Sequence, residues 1–402
     1  MDETPAAAQE GTDMTVIKTY FKEGLRFETL DKNFTFKLGA KIAFDAGAIH
    51  TNHDYEDAFS REEDGAKFRM ARVSGEGSVN QSVEYKWQYD FSGGTNNKLK
   101  DLYIQFPKFH LGSLRVGQFK EPMGLEELTG LTNITFMERG ASDRLNPARN
   151  IGVMVSNTCP SKRANWAAGI FREDGSDTGV DTGDGEYALT ARFTGTPFMR
   201  DETHLMHLGV SGRSVAVRDN PYVITYTGET TVSLINNLAQ FSDNADTANT
   251  AGLEYAWLNG PLSLQAEYTR TAVDRTDDTW VDLDGYYLFA SYFLTPGDSR
   301  TYNPTNGTFG RVKVKHPQGK DGGCGAWEAA VRISSLDLNS EAGHTSAGGG
   351  DGGRVDSYTA GVNWYLNDYT RVMLNYIRIQ PDDNQDGTAG ADVLAMRLQI
   401  DV

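Results

Sequence analysis

The chain is poor in several features that mark the common protein classes. Of its 402 residues only two are cysteines, which cannot make a disulfide framework, and only twelve are prolines. No stretch approaches the run of about 18 apolar residues that a transmembrane helix needs, so a helical membrane protein is excluded. Basic residues are the minority, and the net charge of −17 disfavours nucleic acid as a partner.

Signs of catalysis are also missing. The sequence contains no Gly-x-Ser-x-Gly, no His-Glu-x-x-His and no P-loop, so an enzyme is not expected. Two histidine pairs, His50/His53 and His204/His207, bring neither cysteine nor a placed set of carboxylates. We therefore predict no metal site and no cofactor.

Aromatic residues and glycine are abundant instead, and apolar residues recur with a period of two. Phe, Tyr and Trp make up 11% of the chain, which argues against disorder. From Phe34 to Phe44 apolar side chains alternate with Lys37, Gly39 and Lys41, and comparable alternation recurs to the C-terminus. Because helical periodicity is scarce, the chain is predicted to be all-β.

About sixteen antiparallel strands are expected, joined by connections of two kinds. Short links alternate with long polar ones, as in an outer-membrane barrel with short periplasmic turns and long outer loops. The exception is 295–325, a long link on the short-turn side. The predicted strands are 34–48, 67–76, 82–91, 99–106, 114–119, 151–157, 164–172, 186–194, 204–213, 251–258, 262–272, 284–294, 326–335, 357–366, 371–379 and 392–402.

One closed barrel follows from this pattern, because closure removes both sheet edges and satisfies the backbone in lipid. A soluble multi-sheet protein would carry polar residues outside, whereas here the apolar face carries large aromatics near strand ends. Sixteen strands leave room for a water-filled lumen. Residues 24–402 are predicted to form the barrel and residues 1–23 a flexible periplasmic tail. Met1-Asp2-Glu3 begins no signal peptide, so the chain is either a mature or recombinant form or not exported.

Two features lie at opposite ends of this expected barrel. Cys159 and Cys324 both fall on the periplasmic side, where a disulfide is permitted, although their turns need not be neighbours. An acidic outer loop contains Asp54, Glu56 and Glu62. It is either a solvated surface or a site for divalent ions that bridge lipopolysaccharide.

At this level of detail the sequence resembles a known family, the phosphate-selective porins O and P. The likeness runs from about Gly24 to Val402, and its strength comes from the order and spacing of the shared pieces. The most specific stretch is Val116-Gly117-Gln118-Phe119-Lys120-Glu121-Pro122-Met123-Gly124-Leu125-Glu126, followed by Met137-Glu138-Arg139, Gly325-Ala326-Trp327-Glu328, Gly361-Val362-Asn363-Trp364-Tyr365 and Met396-Arg397-Leu398-Gln399.

The resemblance implies a trimeric channel of the bacterial outer membrane, with its third outer loop folded into the pore. That loop would be 120–150, in which Arg139 matches the family's Glu-Arg pair while Arg144 and Arg149 do not match. The family's lysine cluster is reduced to Lys120, since other residues such as Glu127 stand in that region. Asp101 matches an aspartate that lies beside the family's anion site.

Alternation supplies further candidates for a basic lumen, since arginine can bind phosphate through two hydrogen bonds. Arg69 and Arg72 have opposite parity, so simple alternation points at most one of them inward. Each strand arginine could instead form a lumen salt bridge with a carboxylate such as Glu254 or Glu328. The candidates on inward positions are Lys37, Lys41, Arg192, Arg213, Arg332 and Arg397.

The predicted function is passive diffusion of small anions, with phosphate or polyphosphate as the solute. Net charge of −17 does not contradict this, because exposed charges beyond about 10 Å are screened at 0.1 M salt. Outer-membrane lipid, lipopolysaccharide and two further copies of the chain are the expected partners. Inward carboxylates leave a general or weakly cation-selective porin open, and a non-conducting structural or receptor barrel is the other alternative.

Overall fold

The computed structural model describes residues 16–92, 99–173, 186–232, 237–320, 322–339, 352–382 and 388–402. This part of the chain is nearly all strand, with helices α1 (His53–Phe59) and α2 (Leu125–Leu128) and a 3-10 turn at Ala141–Leu145. None of these helices is long and apolar enough to cross a membrane. The strands are β1 (Ile17–Phe21), β2 (Leu25–Thr29), β3 (Phe34–Thr51), β4 (Gly65–Val79), β5 (Val83–Asp90), β6 (Leu99–Phe109), β7 (Gly112–Lys120), β8 (Arg149–Thr158), β9 (Ala164–Arg172), β10 (Tyr187–Asp201), β11 (His204–Tyr226), β12 (Ala239–Asn259), β13 (Leu262–Arg275), β14 (Trp280–Phe293), β15 (Tyr302–Asn303), β16 (Thr308–Phe309), β17 (Ala326–Asp337), β18 (Arg354–Asn367), β19 (Thr370–Pro381) and β20 (Ala391–Asp401).

Sixteen of these strands close into one antiparallel barrel, which confirms the predicted fold. Each strand from β3 to β14 pairs with the next, β14 pairs with β17, and the order continues to β20. β20 then closes the barrel on β3, in register from Ala391↔Thr51 to Asp401↔Lys41. The barrel has no free edge along this pairing, so its backbone groups are satisfied without water.

The outer face of the wall is apolar, as the alternation predicts. Aliphatic side chains such as Leu253 and Val331 are 58% and 61% exposed on it. Exposed aromatics flank this band near both strand ends, with Tyr292 on the short-turn side and Tyr187 and Tyr376 on the long-loop side. An apolar band between aromatic girdles is the surface that a barrel presents to lipid.

The hairpin of β11 and β12 is longer than the sequence predicts. The polar stretch 214–249 was expected to be a loop, yet β11 runs to Tyr226 and β12 starts at Ala239. A bulge between Ala216 and Asn220 interrupts the register there. The stretch extends beyond the apolar band, so neither of its faces contacts lipid. Its sequence therefore does not need to alternate between apolar and polar residues.

The N-terminal residues also differ from expectation. β1 and β2 form a hairpin, and β2 pairs with β3 from Leu25↔Leu38 to Glu28↔Thr35, beyond the point where β20 ends. Phe27 stacks against Phe36 of β3, so the hairpin continues the apolar outer face. The predicted boundary at residue 23 therefore falls in the hairpin's turn, and residues 1–15 of the predicted tail lie outside the described part.

Two long connections fold into the barrel. The third connection on the long-loop side, residues 121–148, enters the lumen as predicted; we call it the inner loop. The second is the long link on the short-turn side, whose residues 294–320 we call the turn-side insertion. Its Arg300, Tyr302 and Phe309 are at most 3% exposed. Cys159 and Cys324 form no disulfide.

Candidate functional site

The inner loop is fixed to one half of the barrel by side chains that alternate inward from the wall. Glu267 of β13 accepts hydrogen bonds from the backbone N–H groups of Leu125 and Glu126, at 2.5 and 2.9 Å. On the other strands of this half, donors reach backbone carbonyls of the loop. They are Arg332 to Glu138 (2.9 Å), Asn363 to Thr135 (2.8 Å), Arg371 to Ile134 (2.8 Å), Gln399 to Thr132 (3.0 Å) and Arg397 to Met137.

The turn-side insertion packs against the same half and meets the inner loop. The Tyr302 hydroxyl lies 2.7 Å from Nδ1 of His207, and Arg192 donates to the carbonyl of Gly307 at 2.9 Å. The backbone N–H of Phe309 donates to the Thr129 hydroxyl of the inner loop at 3.3 Å. The two inward segments together fill the lumen beside strands β11 to β14 and β17 to β20.

The space that remains is a cavity of about 1200 Å³ against the opposite half of the wall. Its lining comes from β3 to β10, the end of β20 and the two inward segments, together with Glu23 of the β1–β2 turn and Glu202 of the β10–β11 turn. Within the described residues, β11 to β14 and β17 to β19 contribute nothing to it. The cavity therefore lies to one side of the barrel, against the strands that the inner loop does not cover.

Basic side chains dominate this lining. Among the described residues, fourteen basic and six acidic side chains line the cavity, although the chain as a whole carries −17. The basic residues are Lys37, Lys41, Arg69, Arg72, Lys86, Lys100, Arg115, Lys120, Arg139, Arg144, Arg149, Arg192, Arg311 and Lys313, and the acidic residues are Glu23, Glu76, Asp101, Glu127, Glu202 and Asp401.

Most of these basic groups are held by carboxylates, of which Asp90, Glu138 and Glu254 lie outside the lining and the others belong to it. Asp101 is shared, at 3.0 Å from Lys86 and 2.7 Å from Arg149. The other pairs are Lys37–Glu76 (3.0 Å), Lys41–Asp401 (2.9 Å), Arg69–Glu138 (2.7 Å), Arg72–Asp90 (2.7 Å), Lys120–Glu127 (3.1 Å), Arg139–Glu127 (2.6 Å), Arg192–Glu254 (2.6 Å) and Arg311–Asp401 (3.0 Å). The ion pairs fix the basic side chains in place and also neutralise part of their charge.

Two carboxyl groups of the inner loop have opposite pKa shifts. Burial raises the pKa of Asp143 to about 7, in spite of Arg139, which lies 3.5 Å away and lowers it. Burial also acts on Glu127, but Arg139 and Lys120 outweigh it and hold the pKa of Glu127 below its usual range. Glu127 is therefore charged at neutral pH, whereas Asp143 is close to its midpoint.

Arg69 and Arg72 both line the cavity, which simple alternation does not allow. Ala43 pairs with Met70, but the next residue, Phe44, pairs with Phe68, so Arg69 is the extra residue of a β-bulge. A bulge re-aims one side chain relative to the rest of its strand. This is why the parity argument, which permits at most one of the two arginines inside, does not hold.

The predicted pathway residues fall into two groups. Lys41, Arg69, Asp101, Lys120, Arg139, Arg144 and Arg192 line the cavity. Arg213, Arg332 and Arg397 also point inward but are 6%, 2% and 0% exposed and lie outside the lining. Alternation gives the direction of a side chain, and it does not reveal which inward segment covers that side chain.

Sequence reasoning missed five basic residues of the lining. Lys86 is on the polar face of a clearly alternating strand, so its signal was present. Arg115 lies on β7, where Gly117 and Gln118 blur the alternation. The five are Lys86, Lys100, Arg115, Arg311 and Lys313. Arg311 and Lys313 belong to the turn-side insertion, whose course alternation does not describe.

Comparison with known proteins places this barrel in a family. Residues 36–402 match the model of the family described as phosphate-selective porin O and P. The chain belongs to this family. It is 28% identical to Porin O of Pseudomonas aeruginosa, over 97% of this chain and 93% of that protein. The family and the barrel together make the protein a porin of the bacterial outer membrane, as predicted.

Solved structures share the fold at low identity. OmpT of Vibrio cholerae in its trimer form has a TM-score of 0.57 at 11% identity, covering 92% of this chain and 99% of that chain. An anion-selective porin from Comamonas acidovorans has a TM-score of 0.55 at 10% identity, covering 92% and 100%. These similarities show the architecture of the porin and do not identify its solute.

Proposed function

We propose that this porin conducts small anions by passive diffusion, with phosphate or polyphosphate as its solute. The observation that carries the proposal is the excess of basic over acidic side chains along the cavity, in a chain whose total charge is strongly negative. Charge-lined passages with low-dielectric walls focus the field, so the local lining outweighs distant charges. The description of the family as phosphate-selective supports phosphate as the solute.

The proposed roles of the predicted residues follow from where they lie. Lys41, Arg69, Lys120, Arg139, Arg144 and Arg192 form the anion path, and Asp101 keeps Lys86 and Arg149 in place beside it. An anion in this path replaces part of the interaction between a cation and its carboxylate, so it binds weakly and leaves easily. Arg213, Arg332 and Arg397, which lie outside the lining, serve instead as internal supports.

We also propose that three barrels assemble into a homotrimer, since OmpT, which shares the fold, is described in a trimer form. The apolar outer face would contact outer-membrane lipid and neighbouring barrels. In the first outer loop, α1 carries Asp54, Glu56 and Asp57. With divalent ions, this acidic surface would contact lipopolysaccharide.

Conductance in planar bilayers tests the proposal. Purified porin should give stepwise chloride currents, and added phosphate should reduce them by competing for the same path. Arg139→Ala should weaken this competition, because it removes a cation that lines the cavity. A barrel that inserts without conducting, or chloride currents that phosphate leaves unchanged, would contradict the proposal.

A further inference from the structure

Arg115 differs from most basic side chains along the passage, because it has no carboxylate partner among the described residues. Its Nε donates to the neutral amide oxygen of Gln105 at 2.8 Å. The amide nitrogen of Gln105 in turn donates to Glu84 at 2.7 Å. The side chain of Gln105 therefore lies between Arg115 and this carboxylate. The positive charge of Arg115 is therefore left largely uncompensated.

Aromatic rings hold this guanidinium in place. Its central carbon lies 4.3 Å from the ring centroid of Tyr103 and 5.2 Å from that of Phe119. Phe119 makes an edge contact with Phe171, at 5.5 Å between centroids, so the rings form a continuous bed on β6, β7 and β9. Cation–π contact of this kind favours the arginine without cancelling its charge.

These rings can lie against the sheet because two positions beneath them are glycines, which have no side chain. Gly117 of β7 and Gly152 of β8 face each other across the ladder. A Cβ on Gly152 would lie 2.4 Å from Cδ1 of Phe171, and one on Gly117 would lie 2.7 Å from the Cα of Tyr103. Gly117 also has a backbone φ of 134°, which residues other than glycine rarely adopt. Two glycines thus let the rings lie against the wall.

The arrangement leaves the outer end of the guanidinium available. Arg115 is half-buried and lines the cavity, and its two terminal nitrogens donate to no described residue. Two parallel N–H groups match two oxygens on one edge of an oxyanion. We propose that Arg115 is an oxyanion-binding site of the passage, which takes a carboxylate or a phosphate through this two-point contact. The inference rests on the proposed anion conduction.

The neighbouring basic residues are less suited to binding an oxyanion. Arg139 lies 2.6 Å from Glu127 and 3.5 Å from Asp143, and Lys120 lies 3.1 Å from Glu127. An anion at either residue competes with an internal carboxylate. Arg144 is exposed, where water weakens its field. Within the described lining, Arg115 combines a fixed orientation and a free two-nitrogen edge with a neutral partner, Gln105. Arg72 is also held through its Nε, but its partner is the carboxylate of Asp90 at 2.7 Å.

Block of the chloride current by phosphate and, separately, by acetate tests the site in planar bilayers. Arg115→Gln should raise the half-blocking concentration of both anions about tenfold, as expected for losing one charge-assisted contact. Arg115→Lys keeps the charge but not the fork, so anion preference should persist while block weakens. Arg270→Gln is the matched control, because Arg270 is exposed outside the lumen and pairs with Asp282 at 2.6 Å.

The results separate this inference from the proposed function. A wild-type channel without anion preference would refute the proposed function and the site together. Anion preference in the wild type, with unchanged block by both anions in Arg115→Gln, would overturn the site alone. Block by phosphate with acetate inert would also overturn it, because a two-oxygen edge is common to both anions. The anion whose block shifts more in Arg115→Gln identifies the favoured class.

Discussion

Arg397 provides the sharpest test of how the inner loop is held. It is fully buried, and its guanidinium donates to both oxygens of Asp45 at 2.7 Å, to Glu138 at 2.6 Å and to the carbonyl of Met137. Arg397→Met removes these bonds and leaves the carboxylate of Asp45, which is also fully buried, without its cation. Breaking one side of a buried ion pair costs about 3–5 kcal/mol.

We expect this cost in the free energy of unfolding, measured by urea titration in detergent micelles. The loop should also loosen, because it loses the donor to Met137, so the single-channel conductance should rise and become noisier. Arg270→Met is the control, since the Arg270–Asp282 pair is solvent-exposed and water screens it. If both variants unfold at the same urea concentration, the inner loop is not supported by Arg397.

Three further changes test other parts of the structure. Glu267→Gln weakens the acceptor for the N–H groups of Leu125 and Glu126, so conductance should rise, and an unchanged conductance would contradict this anchor. Tyr302→Phe removes the hydroxyl beside His207; we expect faster proteolysis of the turn-side insertion in micelles, and wild-type cleavage rates would argue against this contact. Because burial raises the pKa of Asp143 to about 7, its carboxyl is neutral at pH 6 and charged at pH 8. Anion preference should therefore be higher at pH 6 than at pH 8, and Asp143→Asn should reduce that difference.

The barrel itself could be predicted because its physics is local. Lipid on one side and water on the other force a two-residue period, which Phe34–Phe44 displays directly. Counting the segments with this period predicts the number of strands, and the lengths of the segments between them predict the alternation of short and long connections. The prediction failed where that constraint ends, as at Ala239–Asn249, which forms a strand beyond the apolar band.

The lining was harder to predict because it depends on tertiary packing. Arg332 and Arg397 were assigned to the inner face, but the sequence does not say that the inner loop lies over them. Arg69 reaches the cavity because a bulge changes the parity of its strand. Arg115 was missed because the glycine beneath its aromatic bed interrupts the pattern that would have revealed it.

The central claim is that the local lining, and not the total charge of −17, sets the selectivity of this porin. The reversal potential of the wild-type channel in a potassium chloride gradient at neutral pH tests it most directly. The account predicts a potential whose sign reports chloride as the more permeant ion. A potential of the opposite sign would contradict it and would make the protein a cation-selective or general diffusion porin with the same barrel.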